Sequence, residues 1–156
     1  MVTVFLIRHA IAGSRSRWQG EDSLRPLNAR GRQQAAGVAE LLAPRGVTRV
    51  VSSPATRCVQ TVEPLAETLG VEVKLDKRLA EGGRLDDALD VVFARPDHLA
   101  ACAHGDLIPE IMAELVRRGM QATAPQRCQK GSVWEIELRD GQPVEARYHP
   151  PAGRGD

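Results

Sequence analysis

A three-layer α/β/α fold around a central, mostly parallel sheet is what this sequence predicts. Two observations predict it. Short apolar, β-branched runs at residues 2–7, 48–52, 71–75 and 99–103 alternate with longer segments of helical periodicity. Strands that alternate with helices pair in parallel beneath helical layers on both faces. The last two extended runs, 131–138 and 143–148, flank Asp140-Gly141, a strong hairpin dipeptide, which places them at a sheet edge.

Taken in order, the first run stops at Arg8-His9 and gives way to a polar loop containing Gly13, Gly20 and Pro26. Asn28 can cap a helix reaching about Leu42, with Ala35, Val38, Ala39 and Leu42 on one face and Pro44 and Gly46 to end it. After the run 48–52, Ser53 reads as a cap and Pro54 as the first helical position. That helix turns Ala55, Cys58, Val59 and Val62 inward, and Pro64 should kink or split it before Leu69 and Gly70. A helix over 85–94 ends at Pro96. The run 99–103 leads straight into His104-Gly105-Asp106, and a helix over 107–118 stops near Gly119. The tail 150–156 has a flexible composition unless a contact pins it. No repeat or linker interrupts the pattern, so residues 1–156 are expected to form one domain.

With 156 residues, 42% of them hydrophobic, there is material for a layered core. A formal charge of +1 supplies no global field toward nucleic acid or an anionic membrane. No run approaches the roughly 18 apolar residues that cross a bilayer. The first apolar stretch is too short for a signal peptide and lacks a basic lead-in, so a soluble cytoplasmic protein is expected. Cys58, Cys102 and Cys128 are odd in number and lack metal-ligand spacing; the first two read as small core residues. The basic side is 18 Arg against 3 Lys, a bias that genome composition explains. Locally it matters more: residues 8–32 carry six arginines against Glu21 and Asp22, an electropositive patch if the segment folds back over the strand end.

Three segment ends carry polar groups: Arg8-His9 after the first strand, Arg57 one turn into the helix after Ser52, and His104 after the fourth strand. In a parallel sheet all three lie on the carboxyl edge, where α/β proteins bind ligands. Arginine offers a planar fork to phosphate and neutral imidazole is a nucleophile. Helix amino termini near Ser53 and after Gly105 add backbone donors. Each residue alone has an ordinary explanation, His104 as a loop histidine and Arg57 as a helix-surface charge. All four at equivalent ends point to a pocket for a dianionic phosphoryl group.

Four segments resemble the histidine phosphatase superfamily, the phosphoglycerate mutase-like family. Leu6-Ile7-Arg8-His9-Ala10 stands where that family has its Arg-His-Gly signature, with Ala10 in the glycine place. The stretch Arg25-Pro26-Leu27-Asn28-Ala29-Arg30-Gly31-Arg32-Gln33-Gln34-Ala35 resembles its Pro-Leu-Thr-x-x-Gly-x-x-Gln-Ala segment. Ser52-Ser53-Pro54-Ala55-Thr56-Arg57-Cys58-Val59-Gln60-Thr61 resembles its Ser-Ser-Pro-x-x-Arg-Ala-x-Gln-Thr helix, and His104-Gly105 its second histidine. The resemblance implies that His9 is the nucleophile and forms a phosphohistidine, that Arg8, Arg57 and His104 hold the transferring oxygens, and that no metal or other cofactor is needed. Leu79-Ala80-Glu81 fits the family's Leu-x-Glu segment, which makes Glu81 the general acid or else a solvated loop carboxylate. Arg15 stands where many relatives have asparagine, and either contacts phosphate or faces solvent.

Only 22 residues separate Glu81 from His104. Mutases and larger phosphatases of the family carry a covering insertion there, so its shortness implies hydrolysis and a bulky substrate. The small SixA-type phosphohistidine phosphatases match this chain in size, and that branch is the expected one. A second resemblance, over 10–18 and 57–66, is to the carboxyl-terminal phosphatase module of actinobacterial Nudix fusions, which handle nucleoside di- and triphosphates. On that reading Trp18 stacks on a base, or otherwise packs on the core. The expected partner is a phosphorylated substrate, either a phosphohistidine protein or a small phosphoester or nucleotide. A phosphate-binding regulatory module is the non-enzyme alternative, motivated by Ala10 and the uncertain acid.

Overall fold

A computed structural model describes residues 1–152. Ten regular elements follow one another: β1 (Val2–Arg8), α1 (Ala29–Leu42), β2 (Arg49–Ser52), α2 (Thr56–Leu69), β3 (Val73–Leu75), α3 (Leu85–Phe93), β4 (Leu99–Ala103), α4 (Leu107–Arg117), β5 (Val133–Arg139) and β6 (Gln142–His149). The strands form one sheet in the order β3-β2-β4-β1-β5-β6. The first four pair in parallel, and β5 and β6 add an antiparallel hairpin at the edge. This is the expected α/β fold of phosphoglycerate mutase-like type.

The period-2 alternation of the strands divides the core into two. Phe5, Ile7, Val50, Ala100 and Cys102 face α1 and α2, where they meet Val38, Leu42, Cys58, Val62 and Leu65. Val4, Leu6, Val51, Leu99 and Ala101 face the opposite way onto α3 and α4, against Val92, Ile108, Ile111 and Met112. Side chains on a strand point alternately to opposite faces, so each central strand is buried twice.

Local chemistry sets the boundaries. The Asn28 side chain accepts the Gly31 N–H at 2.9 Å and starts α1. Gly46 ends the turn after α1 with φ 77°. Asp140 and Gly141, at φ 51° and 76°, make the two-residue hairpin turn whose twist suits the strands. β3 begins two residues later than the pattern suggests, because the Val71 N–H bonds back to the Ala66 carbonyl and finishes α2.

Pro64 does not split α2, which runs unbroken through it. An interior proline costs about 3 kcal/mol, but fully burying side chains such as Val62 and Leu65 is worth roughly 1.5–3 kcal/mol each, so packing holds the helix together. Nor does Ser53 cap α2. The helix starts three residues later, and the Ser53 hydroxyl turns toward His104. Within the tail, Pro151 is buried and Ala152 lies against Gly37; residues 153–156 of the expected flexible tail lie outside the described residues. Among the described residues, no helix is long and apolar enough to cross a membrane.

α1 approaches the loop after β1 so closely that a Cβ on Gly31 would stand 1.9 Å from the Ile11 carbonyl oxygen. Gly31→Ala is therefore expected to lower unfolding stability by about 1–3 kcal/mol, as overpacking does. Its chemical-denaturation midpoint, compared with that of Gly37→Ala, whose added methyl would meet the Ala152 side chain instead of backbone, checks this.

Candidate active site

The parallel register brings the predicted residues together. Arg8 pairs with Ala103 across β1 and β4, and Ser52 with Cys102 across β2 and β4. The chain leaves all three strands at one level: His9 N–H bonds to the Ala103 carbonyl, and Ser53 N–H to the Cys102 carbonyl. His9 and His104 emerge side by side, their ring centroids 5.5 Å apart and their planes at 62°.

His9 is buried and its Nδ1 lies 2.8 Å from the Ala10 carbonyl oxygen. A carbonyl only accepts, so Nδ1 carries the proton and Nε2 keeps a free lone pair. Burial lowers the pKa of the ring from 6.5 to about 3; the Ala10 bond opposes this, and the positive neighbours His104, Arg57 and Arg8 reinforce it. The Ala10 N–H is held by Thr61 Oγ1 at 2.9 Å, and that hydroxyl donates in turn to the Arg57 carbonyl at 2.7 Å. One threonine thus joins the turn after His9 to the helix that carries Arg57.

Arg8 donates from Nη1 to the Cys128 carbonyl at 2.6 Å, and its guanidinium lies flat on Gly105. A Cβ at position 105 would stand 2.5 Å from Arg8 Cζ, so a side chain there would push the guanidinium from its place. Arg57 is 2% exposed and reaches the Asp22 carbonyl (2.9 Å), the Asp22 carboxylate (3.2 Å) and Glu81 (3.6 Å). His104, also 2% exposed, presents Nε2 to Ser53 Oγ at 2.9 Å.

Among the described residues, three buried side-chain nitrogens have no protein partner: Arg8 Nε, Arg57 Nε and His104 Nδ1. An unsatisfied buried donor costs about 1–3 kcal/mol. Three of them on residues surrounding one nucleophilic ring is the arrangement of an oxyanion site. The donor set fits a phosphoryl group.

Around this centre is a cleft of about 330 Å³, lined by Arg8, His9, Arg15, Arg25, Glu81 and Lys130, among others. Glu81, half exposed, pairs with Arg15 at 3.4 Å and with Arg57. Arg15 lines the cleft and is largely exposed. Trp18 is neither buried nor loose; its Nε1 donates to the Glu21 carbonyl at 2.8 Å. A larger groove of about 700 Å³ runs along α3 and contains none of these residues, so size alone does not mark the site.

Several residues that hold the site were not singled out by the sequence. Asp22 pairs with Arg25 (3.0 Å), Arg57 (3.2 Å) and Arg15 (3.4 Å). Burial works against its negative charge, but the Arg25 bond and the charges of Arg57 and Arg15 keep its carboxyl below the ordinary range. Gln34 accepts from Ile11 N–H and donates to the Lys130 carbonyl, while Gln60 accepts from Leu27 N–H. Burial, then repulsion from Arg8, Arg25, Arg15 and Arg57, pushes the Lys130 amine below its usual pKa. Asp22 was visible only as one of two acids in an arginine-rich segment. Gln34, Gln60 and Thr61 stood inside family-like segments without any pattern to reveal their partners.

Residues 4–89, from β1 into α3, match the Histidine phosphatase superfamily (branch 1). The chain belongs to this family. A relative named 8-oxo-(d)GTP phosphatase, from Mycolicibacterium smegmatis, is 34% identical over 155 residues, covering 96% of this chain and 48% of its own length. An Enterobacter protein provisionally named phosphoglycerate mutase GpmB is 35% identical over 52% of this chain and 38% of its own. The chain thus spans about half, or less, of the length of these curated relatives. A structure from Nakamurella multipartitia, provisionally named phosphohistidine phosphatase SixA, superposes with a TM-score of 0.76 at 25% identity, covering 97% of this chain and 96% of that one.

His9 is expected to keep the Nδ1–H neutral form in neutral and mildly acidic buffer, with an unprotonated Nε2 resonance in ¹H–¹⁵N imidazole spectra. A His9 signal titrating at its ordinary 6.5 would contradict the assignment.

Proposed function

We propose that the chain is a metal-independent phosphatase that works through a phosphohistidine on His9. What carries this reading is a neutral His9 with a free Nε2 beside three unpartnered buried donors. Nε2 attacks phosphorus in line with the leaving group, while Arg8, Arg57 and His104 hold the equatorial oxygens. Charge on those oxygens meets donors already in place, with little reorganisation during the step. Water then attacks the phosphohistidine and returns His9 and free phosphate.

Glu81 is the proposed proton donor. It stands at the cleft between Arg57, at 3.6 Å, and Arg15, at 3.4 Å. A bound phosphoryl group shares that guanidinium with Glu81, which brings the carboxyl next to the leaving group. Glu81 then protonates the leaving oxygen and afterwards takes a proton from the attacking water.

For the substrate, the reading starts from a SixA-like phosphohistidine phosphatase. The 22 residues between Glu81 and His104 are occupied largely by α3 and β4, which leaves Glu81 half exposed and the cleft accessible to a protein side chain. The SixA-named structural relative supports this. A nucleotide or other small phosphoester is the second reading. Lys130 and Arg25 line the cleft beyond the residues assigned to the transferred group and suit additional phosphates, and the 8-oxo-(d)GTP phosphatase relative points the same way.

Para-nitrophenyl phosphate should be hydrolysed in the presence of chelator, with no activity in His9→Ala and a loss on the order of 10²–10³ in His104→Ala. Equal rates in wild type and His9→Ala would remove the enzyme reading. A phosphorylated histidine carrier protein tested against nucleoside diphosphates separates the two substrate classes. Glu81→Gln should lower kcat more for alkyl than for aryl phosphates; a uniform effect would remove its role as acid.

A further inference from the structure

Behind the phosphoryl-holding face of His104 is a thiol that no step above uses. Cys58 directly follows Arg57 in α2 and is fully buried. Its Sγ lies 3.5 Å from His104 Nε2 and 3.7 Å from the Ala103 carbonyl oxygen. The Cys102 thiol, also fully buried, stands against it from β4, with Thr61 beside that. In the family-like segment this position holds alanine, so neither the fold nor the size of the site calls for sulfur.

The two ring nitrogens of His104 have opposite surroundings. Nδ1 is buried without a protein partner. Nε2 faces two groups that can each give up a hydrogen, the Ser53 hydroxyl and the Cys58 thiol. Ser53 Oγ already accepts the Ala55 N–H at 3.3 Å, which leaves its hydrogen for Nε2; on that pairing the neutral ring accepts at Nε2 and carries its proton on Nδ1, the nitrogen left for a phosphoryl oxygen. An imidazolium would hold a dianion better, since charge-assisted hydrogen bonds are about twice as strong as neutral ones. Yet the ring is almost wholly buried, so a solvent proton has no direct route to Nε2.

We infer that phosphoryl binding draws the Cys58 proton onto His104, leaving a thiolate–imidazolium pair beneath the substrate. This rests on the reading of the site as phosphoryl-binding. The S–H bond of Cys58 breaks as the Nε2–H bond of His104 forms; no charge enters or leaves the protein and no co-reactant is needed. Thiols beside a histidine are known to ionise in this way. Three groups support the thiolate: Ser53 O–H and Cys102 S–H as donors, and the imidazolium as counterion. The cations Arg57 and Arg8 and the ring of His9 complete the charged and titratable surroundings. Burial alone would raise the Cys58 pKa, but the bonds from Cys102 and His104 pull it below the ordinary thiol value, which readies its proton for transfer, while Cys102 goes up and keeps its own. Cys58 is thus a positioning residue, acting on substrate through His104.

The test is ultraviolet thiolate absorbance during titration of the full chain with inorganic phosphate at neutral pH, with binding followed separately as competitive inhibition of para-nitrophenyl phosphate hydrolysis. A rise equal to one thiolate is expected in wild type and Cys128→Ser and not in Cys58→Ala, which restores the alanine of the family-like segment and should fold. Cys58→Ala and Cys58→Ser should each lower kcat on the order of tenfold, the difference between a charged and a neutral donor. Phosphate that inhibits without raising the absorbance, or a rise that persists in Cys58→Ala, overturns the inference while leaving the phosphatase reading intact. If phosphate fails to inhibit and His9→Ala remains active, both fall.

Discussion

The register of three neighbouring strands is the constraint from which the site follows. β1, β4 and β2 run parallel, and their last residues pair across the sheet. A slip of one residue would turn every side chain to the opposite face of the sheet. His9 would then exchange faces with Ala10, and its ring would no longer meet His104. The close packing of the two layers opposes such a slip, because Phe5 and Ile7 would leave the α1–α2 layer while Val4 and Leu6 left the α3–α4 layer. Packing deep in the core therefore determines where an imidazole stands at the rim.

That rim is electrostatically tense. Arg8, Arg15, Arg25, Arg57 and Lys130 crowd together, and the lowered pKa of the lysine reflects its burial first and their repulsion next. Asp22 and Glu81 relieve only part of it, sharing oxygens among Arg15, Arg25 and Arg57. Asp22 grips Arg57 through both its carboxylate and its backbone carbonyl, which fixes the guanidinium while leaving its Nε unpaired. The folded chain keeps this excess of donors at the site, and in the proposed function an incoming oxyanion satisfies them together.

Most of the architecture was legible because local signals agreed with the burial pattern. Asn28 caps, Asp140-Gly141 turns, and 99–103 reads as a fully buried strand and is one. Arg8, His9, Arg57 and His104 could be placed at one edge because they follow strand ends, and strand ends are what periodicity locates best. The sequence misled where a residue's role is decided by a distant neighbour. Ser53 looks like a helix cap until His104, 51 residues away, takes its hydroxyl. Pro64 looks like a break until the burial of Val62 and Leu65 is weighed against it. Gln34 bonds to residues 23 before it and 96 after it, a pairing with no local trace.

That glutamine has a mechanical consequence. One carboxamide, rooted in the middle of a helix, holds the backbone after β1 with its oxygen and the backbone before β5 with its nitrogen. Two walls of the cleft are thereby spliced to a single rod, and neither can swing while the other stays. The opposite bank is fastened separately, by the ion pairs of Glu81 to Arg15 and Arg57 and by the Gly82 N–H on the Asp106 carboxylate.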